Sequence, residues 1–157
     1  LYEGPLATAI CQFKYQKKPH LAIPLAVLIA EDIAKISFDY VMPIPLHPSR
    51  LRSREFNQSL LLAKQIALTL SRPYFIDTMI RIRKTPPQLG LSRKERDENI
   101  RGAFVVTQQN EIKDLKILLI DDVYTTGATL REGAATLMDA GAKEVMVATI
   151  ARMALSI

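Results

Sequence analysis

"KILLIDDVYTTGATL", residues 116–130, decides how this chain is read. Ile117 to Ile120 form a continuous apolar run, as expected of a strand covered on both faces. Two acids, Asp121 and Asp122, close it, and a run of small and hydroxyl residues then leads into a helix predicted over 129–140. Thr129 and Glu132 fit a capping box at its start, and Gly141 fits the stop after its end. "EVMVATIAR" (144–152) reads as another buried strand. Strand, helix, strand at this spacing implies a right-handed parallel unit of an α/β domain. In such sheets ligands gather at the carboxyl ends of the strands, where the two acids are expected.

Working outward, residues 1–38 read as helical, with Leu6, Ala9, Ile10 and Phe13 on one face and Leu25, Leu28, Ile29 and Ile33 on another after the break at "KKPH". "YVMPIPL" (40–46) is a strand cut short by its prolines, and "HPSRLRSREFN" (47–57) is a loop. "SLLLAKQIALTL" (59–70) is a helix and "DTMIRIR" (77–83) a strand. Residues 84–102 form a long loop with one helical turn near Ser92–Asn99, and loops of that length are usually functional or mobile. "AFVVT" (103–107) is a strand and "QQNEIKD" a turn. Residues 1–157 are expected to make one domain, with a helical hood over 1–38 and a sheet core over 39–157.

No apolar stretch approaches the ~20 residues needed to span a bilayer, and nothing looks like a signal peptide. The chain starts at Leu1, not Met, which reads as a fragment. One cysteine, Cys11, excludes an internal disulfide, and with His20 and His47 it does not make a zinc site. Cys11 is expected as a small buried helix residue, and a reducing, cytoplasmic setting fits. The net charge of +5 is uneven: residues 50–101 carry twelve Lys/Arg against five Asp/Glu. Such a basic stretch suits a polyanion, either small-molecule phosphates or nucleic acid.

The loop after the acids has the chemistry of a phosphate cradle. The N–H groups of a helix start are unpaired and carry partial positive charge. Gly127 and Ala128 leave room for the backbone to close on an anion, and Thr125, Thr126 and Thr129 add hydroxyl donors. Two carboxylates beside bound phosphate would repel it unless the ligand brings something for them to hold. Vicinal hydroxyls of a ribose, or a divalent cation, meet that need. The implied ligand is a ribose with a 5′-phosphate on the helix side and its diol on the acid side.

"ILLIDDVYTTGATL" resembles the 5-phosphoribosyl-1-pyrophosphate (PRPP) binding motif of type I phosphoribosyltransferases. More narrowly the chain resembles the ComF/GntX branch, through "YEGPL", "FKY" at 13–15, "PIPLHPSRLRSREFNQS" at 43–59 and "RKTPPQLGLSRKERDENIRGAF" at 83–104. The resemblance implies a mainly parallel central sheet flanked by helices, a small hood and a long flexible loop. It implies that Asp121 and Asp122 hold the ribose hydroxyls with Mg²⁺ nearby. Thr125, Thr126, Gly127, Ala128 and Thr129 would wrap the 5′-phosphate, with Tyr124 lining the site or packing beside it. Leu46, His47, Pro48, Ser49 and Arg50 sit where the family binds pyrophosphate. Residues 84–101, with Lys84, Arg93 and Arg96, match the loop that closes over the site. The family's N-terminal zinc-binding cysteines are absent from this sequence, so no zinc is expected. Dimers are common for the fold. In 6-oxopurine transferases an Asp stands where this chain has Thr125, which argues against salvage of hypoxanthine or guanine. The implied reaction is displacement of pyrophosphate from C1 of PRPP by an unidentified acceptor. The rival is a non-catalytic module that binds PRPP, a nucleotide or single-stranded DNA during DNA uptake. A receiver domain is disfavoured, because its acidic pair follows the first strand and leads into no phosphate loop.

Overall fold

In the computed structural model, which describes residues 3–86 and 92–152 except the side chain of Arg93, the chain runs α1 (Gly4–Tyr15), α2 (Ala22–Ile33), β1 (Tyr40–Pro43), α3 (Pro48–Arg54), α4 (Gln58–Thr69) and β2 (Met79–Arg81). It continues as α5 (Arg93–Ile100), β3 (Phe104–Val106), α6 (Gln109–Ile112), β4 (Lys116–Tyr124), α7 (Ala128–Asp139) and β5 (Glu144–Arg152). The main sheet is parallel with the order β1-β4-β5, and a separate antiparallel ribbon pairs β2 with β3.

β4 is central because it can be buried on both faces. Leu118 and Ile120 face a core made by Ile10 and Phe13 of α1, Leu25 and Ile33 of α2, and Leu62 and Ile66 of α4. Ile117 and Leu119 face a second core with Leu130 and Leu137 of α7, and Met79, Phe104 and Val106 of the ribbon. Four consecutive apolar residues are what a strand between two cores requires.

The strand does not stop at the acids. β1 leaves β4 at the pair Pro43–Ile120, with one further bond from the Ile44 N–H to the Ile120 carbonyl (2.9 Å). β5 stays paired as far as Tyr124–Arg152. Asp121 and Asp122 therefore lie within β4, where the sheet has lost its other neighbour, and not after its end.

Other expectations are corrected. The loop read over 47–57 contains α3, with Pro48 in its first turn and the His47 side chain as its cap. Its sequence, PSRLRSR, has no apolar period from which a helix could be read. The single turn expected near Ser92–Asn99 is the helix α5 over Arg93–Ile100, held by a Ser92–Glu95 capping box and by Ile100, which is buried in the second core. The turn over 108–114 contains α6. Cys11 is exposed, because Ile10 and Phe13 take the buried side of α1. Gly127 caps α7 in the left-handed region (φ 77°), so Thr129 and Glu132 form no capping box. Glu132 instead accepts a hydrogen bond from the Gly102 N–H (2.6 Å). Gly141, at φ 103°, follows α7 as expected. No described helix is long and apolar enough to cross a membrane.

Candidate ligand-binding site

Asp122 continues the Leu118, Ile120 side of β4 toward α1. There the Lys14 ammonium lies 2.8 Å from its Oδ1, and the two side chains are 17% and 11% exposed. Asp121 is held differently. Its Oδ1 accepts from the Ser59 hydroxyl in the first turn of α4 (2.9 Å) and from the Asp122 N–H (2.9 Å). Burial, and then the charge of Asp122, push its pKa up to about 6 against the pull of those hydrogen bonds and of Lys14. The two acids are thus unequal: one is neutralised by an ammonium, and the other meets a like charge in a desolvated place. Neither Lys14 nor Ser59 was singled out in the sequence, since no local spacing links them to residues 121–122.

After Tyr124 the chain turns through Thr125 and Thr126, both partly exposed, to Gly127. A side chain at Gly127 would strike the Tyr124 ring, with its first carbon 2.5 Å from the phenol oxygen. The space that glycine leaves is therefore filled by Tyr124, whose other contact is the Arg152 guanidinium 5.3 Å from its ring centre. Tyr124 also packs, partly buried, against the second core. The Thr126 hydroxyl accepts weakly from the Ala128 N–H (3.5 Å), and its carbonyl accepts from Arg131 (2.7 Å). Ala128 is buried, whereas Thr129 is partly exposed on the first turn of α7.

A basic cavity of about 470 Å³ lies at the same end of the sheet, beyond the carboxyl end of β1. His47, Ser49, Arg50 and Lys84, all expected in the pyrophosphate and flexible loops, line it together with Arg81 and Thr85. His47 Nδ1 accepts from the Ser49 N–H (3.2 Å) and lies 2.8 Å from the Ser49 hydroxyl, so His47 shapes the wall. Pro48 opens α3, and Leu46 is partly buried just before it. Arg50 reaches the Thr85 carbonyl (3.3 Å). Arg93 and Arg96 belong to α5, and Arg96 is not among the described residues lining this cavity.

Arg81 was missed in the sequence. "DTMIRIR" reads only as an alternating strand, and in the structure Arg81 is 7% exposed while Ile80 and Ile82 face outward. The signal was there: an arginine in phase with Met79, whose side chain is in the core. Burial, together with the charge of Arg50, lowers its pKa to about 10, and Asp121 opposes that shift. The charge of Asp121 thus acts on the cavity.

Only after Ile100 does the predicted closing loop end, but α5 is already anchored. Arg131 of α7 pairs with Asp97 (2.5 Å), and Arg83 donates to the Asn99 carbonyl (2.9 Å). Residues 87–91 of that loop lie outside the described residues.

Comparison with known proteins gives a consistent picture. Residues 57–154 match the model of the phosphoribosyl transferase domain. The chain is 33% identical over 159 residues to competence protein F of Haemophilus influenzae, covering 96% of this chain and 69% of that protein. It is 32% identical over 158 residues to the DNA utilization protein YhgH of Salmonella typhi, with the same coverage of 96% and 69%. Among solved structures it is similar to the glutamine PRPP amidotransferase of Bacillus subtilis, with a TM-score of 0.59 and 19% identity, covering 89% of this chain and 30% of that one.

Proposed function

This chain belongs to the phosphoribosyl transferase domain family, as a ComF-like member with the type I fold, and from that premise we propose that it binds PRPP and transfers its 5-phosphoribosyl group to an acceptor in DNA utilization. The observation that carries the reading is the convergence at one end of the sheet. The acid pair lies near the end of β4, past the point where β1 leaves it, the threonine turn follows β4 and opens α7, and the basic cavity is lined from the segment that follows β1.

In this reading the ribose diol donates to Asp121 and Asp122. The 5′-phosphate meets the hydroxyls of Thr125, Thr126 and Thr129 and the first N–H groups of α7. The diphosphate extends into the cavity of Arg50 and Lys84, whose cationic groups take up the charge that grows as the C1–oxygen bond breaks. The acceptor then forms its bond to C1. A magnesium ion is usually held by one or two carboxylates together with phosphate oxygens. Asp121 and Asp122 can supply that set, although Lys14 already occupies one oxygen of Asp122. No group of three or more His, Cys, Asp or Glu is gathered as a cage among the described residues, so the ion would arrive with the ligand. Bound there, it would neutralise part of the diphosphate charge.

Calorimetry with PRPP and Mg²⁺ tests the proposal. Wild type is expected to bind between micromolar and millimolar Kd, and the Asp121→Asn/Asp122→Asn protein to lose that binding. Unchanged titrations would overturn it.

A second reading has its own support. Arg50, Arg52 and Arg54 follow one another along α3, and Arg54 stacks at 5.6 Å over Tyr15, a ring that is 67% exposed. Arginines beside an open aromatic ring suit a single-stranded nucleic acid. Binding of a labelled oligonucleotide that weakens steeply with salt and survives the double Asp substitution would favour this surface as a DNA contact.

A further inference from the structure

We propose that Arg81 is the diphosphate-selecting residue of this site, a guanidinium built into the ribbon rather than carried on a loop, and this inference rests on the PRPP reading above. A charged side chain more than nine-tenths buried is normally paired, since an unpaired one costs several kcal/mol. Arg81 donates to the Thr85 hydroxyl (2.5 Å) and lies 5.6 Å from the Phe104 ring centre, but its Nε has no hydrogen-bond partner among the described residues. No carboxylate is ion-paired to it among those residues. One donor of the guanidinium, the enclosed Nε, lacks an acceptor, and Arg81 lines the cavity together with Arg50 and Lys84. Three cations around one hollow suit a ligand with more than one negative charge.

The position also fits the facing of the strand: Ile80 and Ile82 turn outward, and Arg81 takes the inner side in phase with Met79. Val105, opposite Ile80 on β3, is likewise partly exposed on that outer face. The guanidinium can hold a bidentate geometry because β2 fixes its stem and Thr85 fixes one nitrogen. A ribose 5-phosphate would reach the threonine turn and the acids without touching this cavity. A 1-diphosphate would need the cavity. Arg81 therefore discriminates between the two.

The test compares wild type, Arg81→Met and Arg81→Lys, with inorganic pyrophosphate, PRPP plus Mg²⁺ and ribose 5-phosphate as titrants, and thermal unfolding of each protein without ligand. Arg81→Met is expected to weaken pyrophosphate and PRPP binding at least tenfold and to leave ribose 5-phosphate within twofold. Its Tm without ligand should equal or exceed that of wild type, because an unpaired buried charge has been replaced by an apolar side chain of similar length. If Arg81→Met does not fold, Arg81→Lys, which keeps the charge and loses the fork, is expected to show a smaller loss of pyrophosphate with ribose 5-phosphate unaffected. Pyrophosphate affinity equal to wild type in a folded variant overturns the Arg81 assignment alone. Wild type that takes PRPP no better than ribose 5-phosphate also overturns it, and leaves the phosphoribosyl reading standing. Wild type that takes neither sinks both.

Discussion

The two neighbouring aspartates show how much one residue's surroundings decide. Asp121 is held above the ordinary carboxylate range, near 6, mainly by burial. A folded-state pKa raised above the unfolded one means that the native protein binds the extra proton between about pH 4 and 6. Stability from this group therefore rises as pH falls through 6 and is lowest at neutral pH, where the buried charge is present. Asp121→Asn keeps an oxygen to accept from Ser59 and removes that charge. It is expected to raise Tm at pH 7.5 by about 3–6 °C, on the order of 1–2 kcal/mol, with the gain shrinking toward pH 5. Thermal melts of both proteins across pH 4.5–8 check this, and a gain that grows on acidification would contradict it. The acid pair and the threonines were legible because they are contiguous. Their keepers, Lys14 and Ser59, come from α1 and α4 and lie within the stretches "FKY" and "PIPLHPSRLRSREFNQS", but their link to the acids was not legible, because only the folded packing brings them to β4.

At the scale of elements, regular apolar patterns were readable and polar helices were not. α2, α4, α7, β4 and β5 each declare a face or a continuous run. α3 has one apolar residue, Leu51, and that is exposed, so only its proline and its His47 cap betray it. α5 is charged along its length and is recognisable by Ser92 and Glu95 alone. The extent of β4 past its acids could not be read either, because it depends on how far β5 follows it. The segment read as a closing loop is in consequence half a fixed helix. Its exposed latch, Asp97 with Arg131, is worth little to global stability. Arg131→Ala should leave Tm within about 2 °C while speeding amide exchange in α5 relative to α7. Equal protection in α5 before and after the substitution would show that Ile100, the Ser92–Glu95 cap and the Arg83 contact hold the helix without the latch.

For the molecule as a whole, the parallel strand–helix–strand unit pointed to the right fold class, and the division into two hydrogen-bonded sheets was not foreseeable from strand signals. That division has a mechanical consequence. Arg50 is carried by the part of the chain that leaves β1, whereas Arg81 and Lys84 are carried by the ribbon. Among the described residues no strand hydrogen bonds join the ribbon to the main sheet, and the Arg50–Thr85 carbonyl contact crosses between the cavity walls. Any multivalent anion seated there acts as a rivet between two plates. Pyrophosphate at saturation should therefore slow exchange at the β2 and β3 amides at least fivefold while β4, already clamped on both sides, scarcely responds. The protein would then register an occupied donor site as stiffness in a ribbon that never touches the sugar.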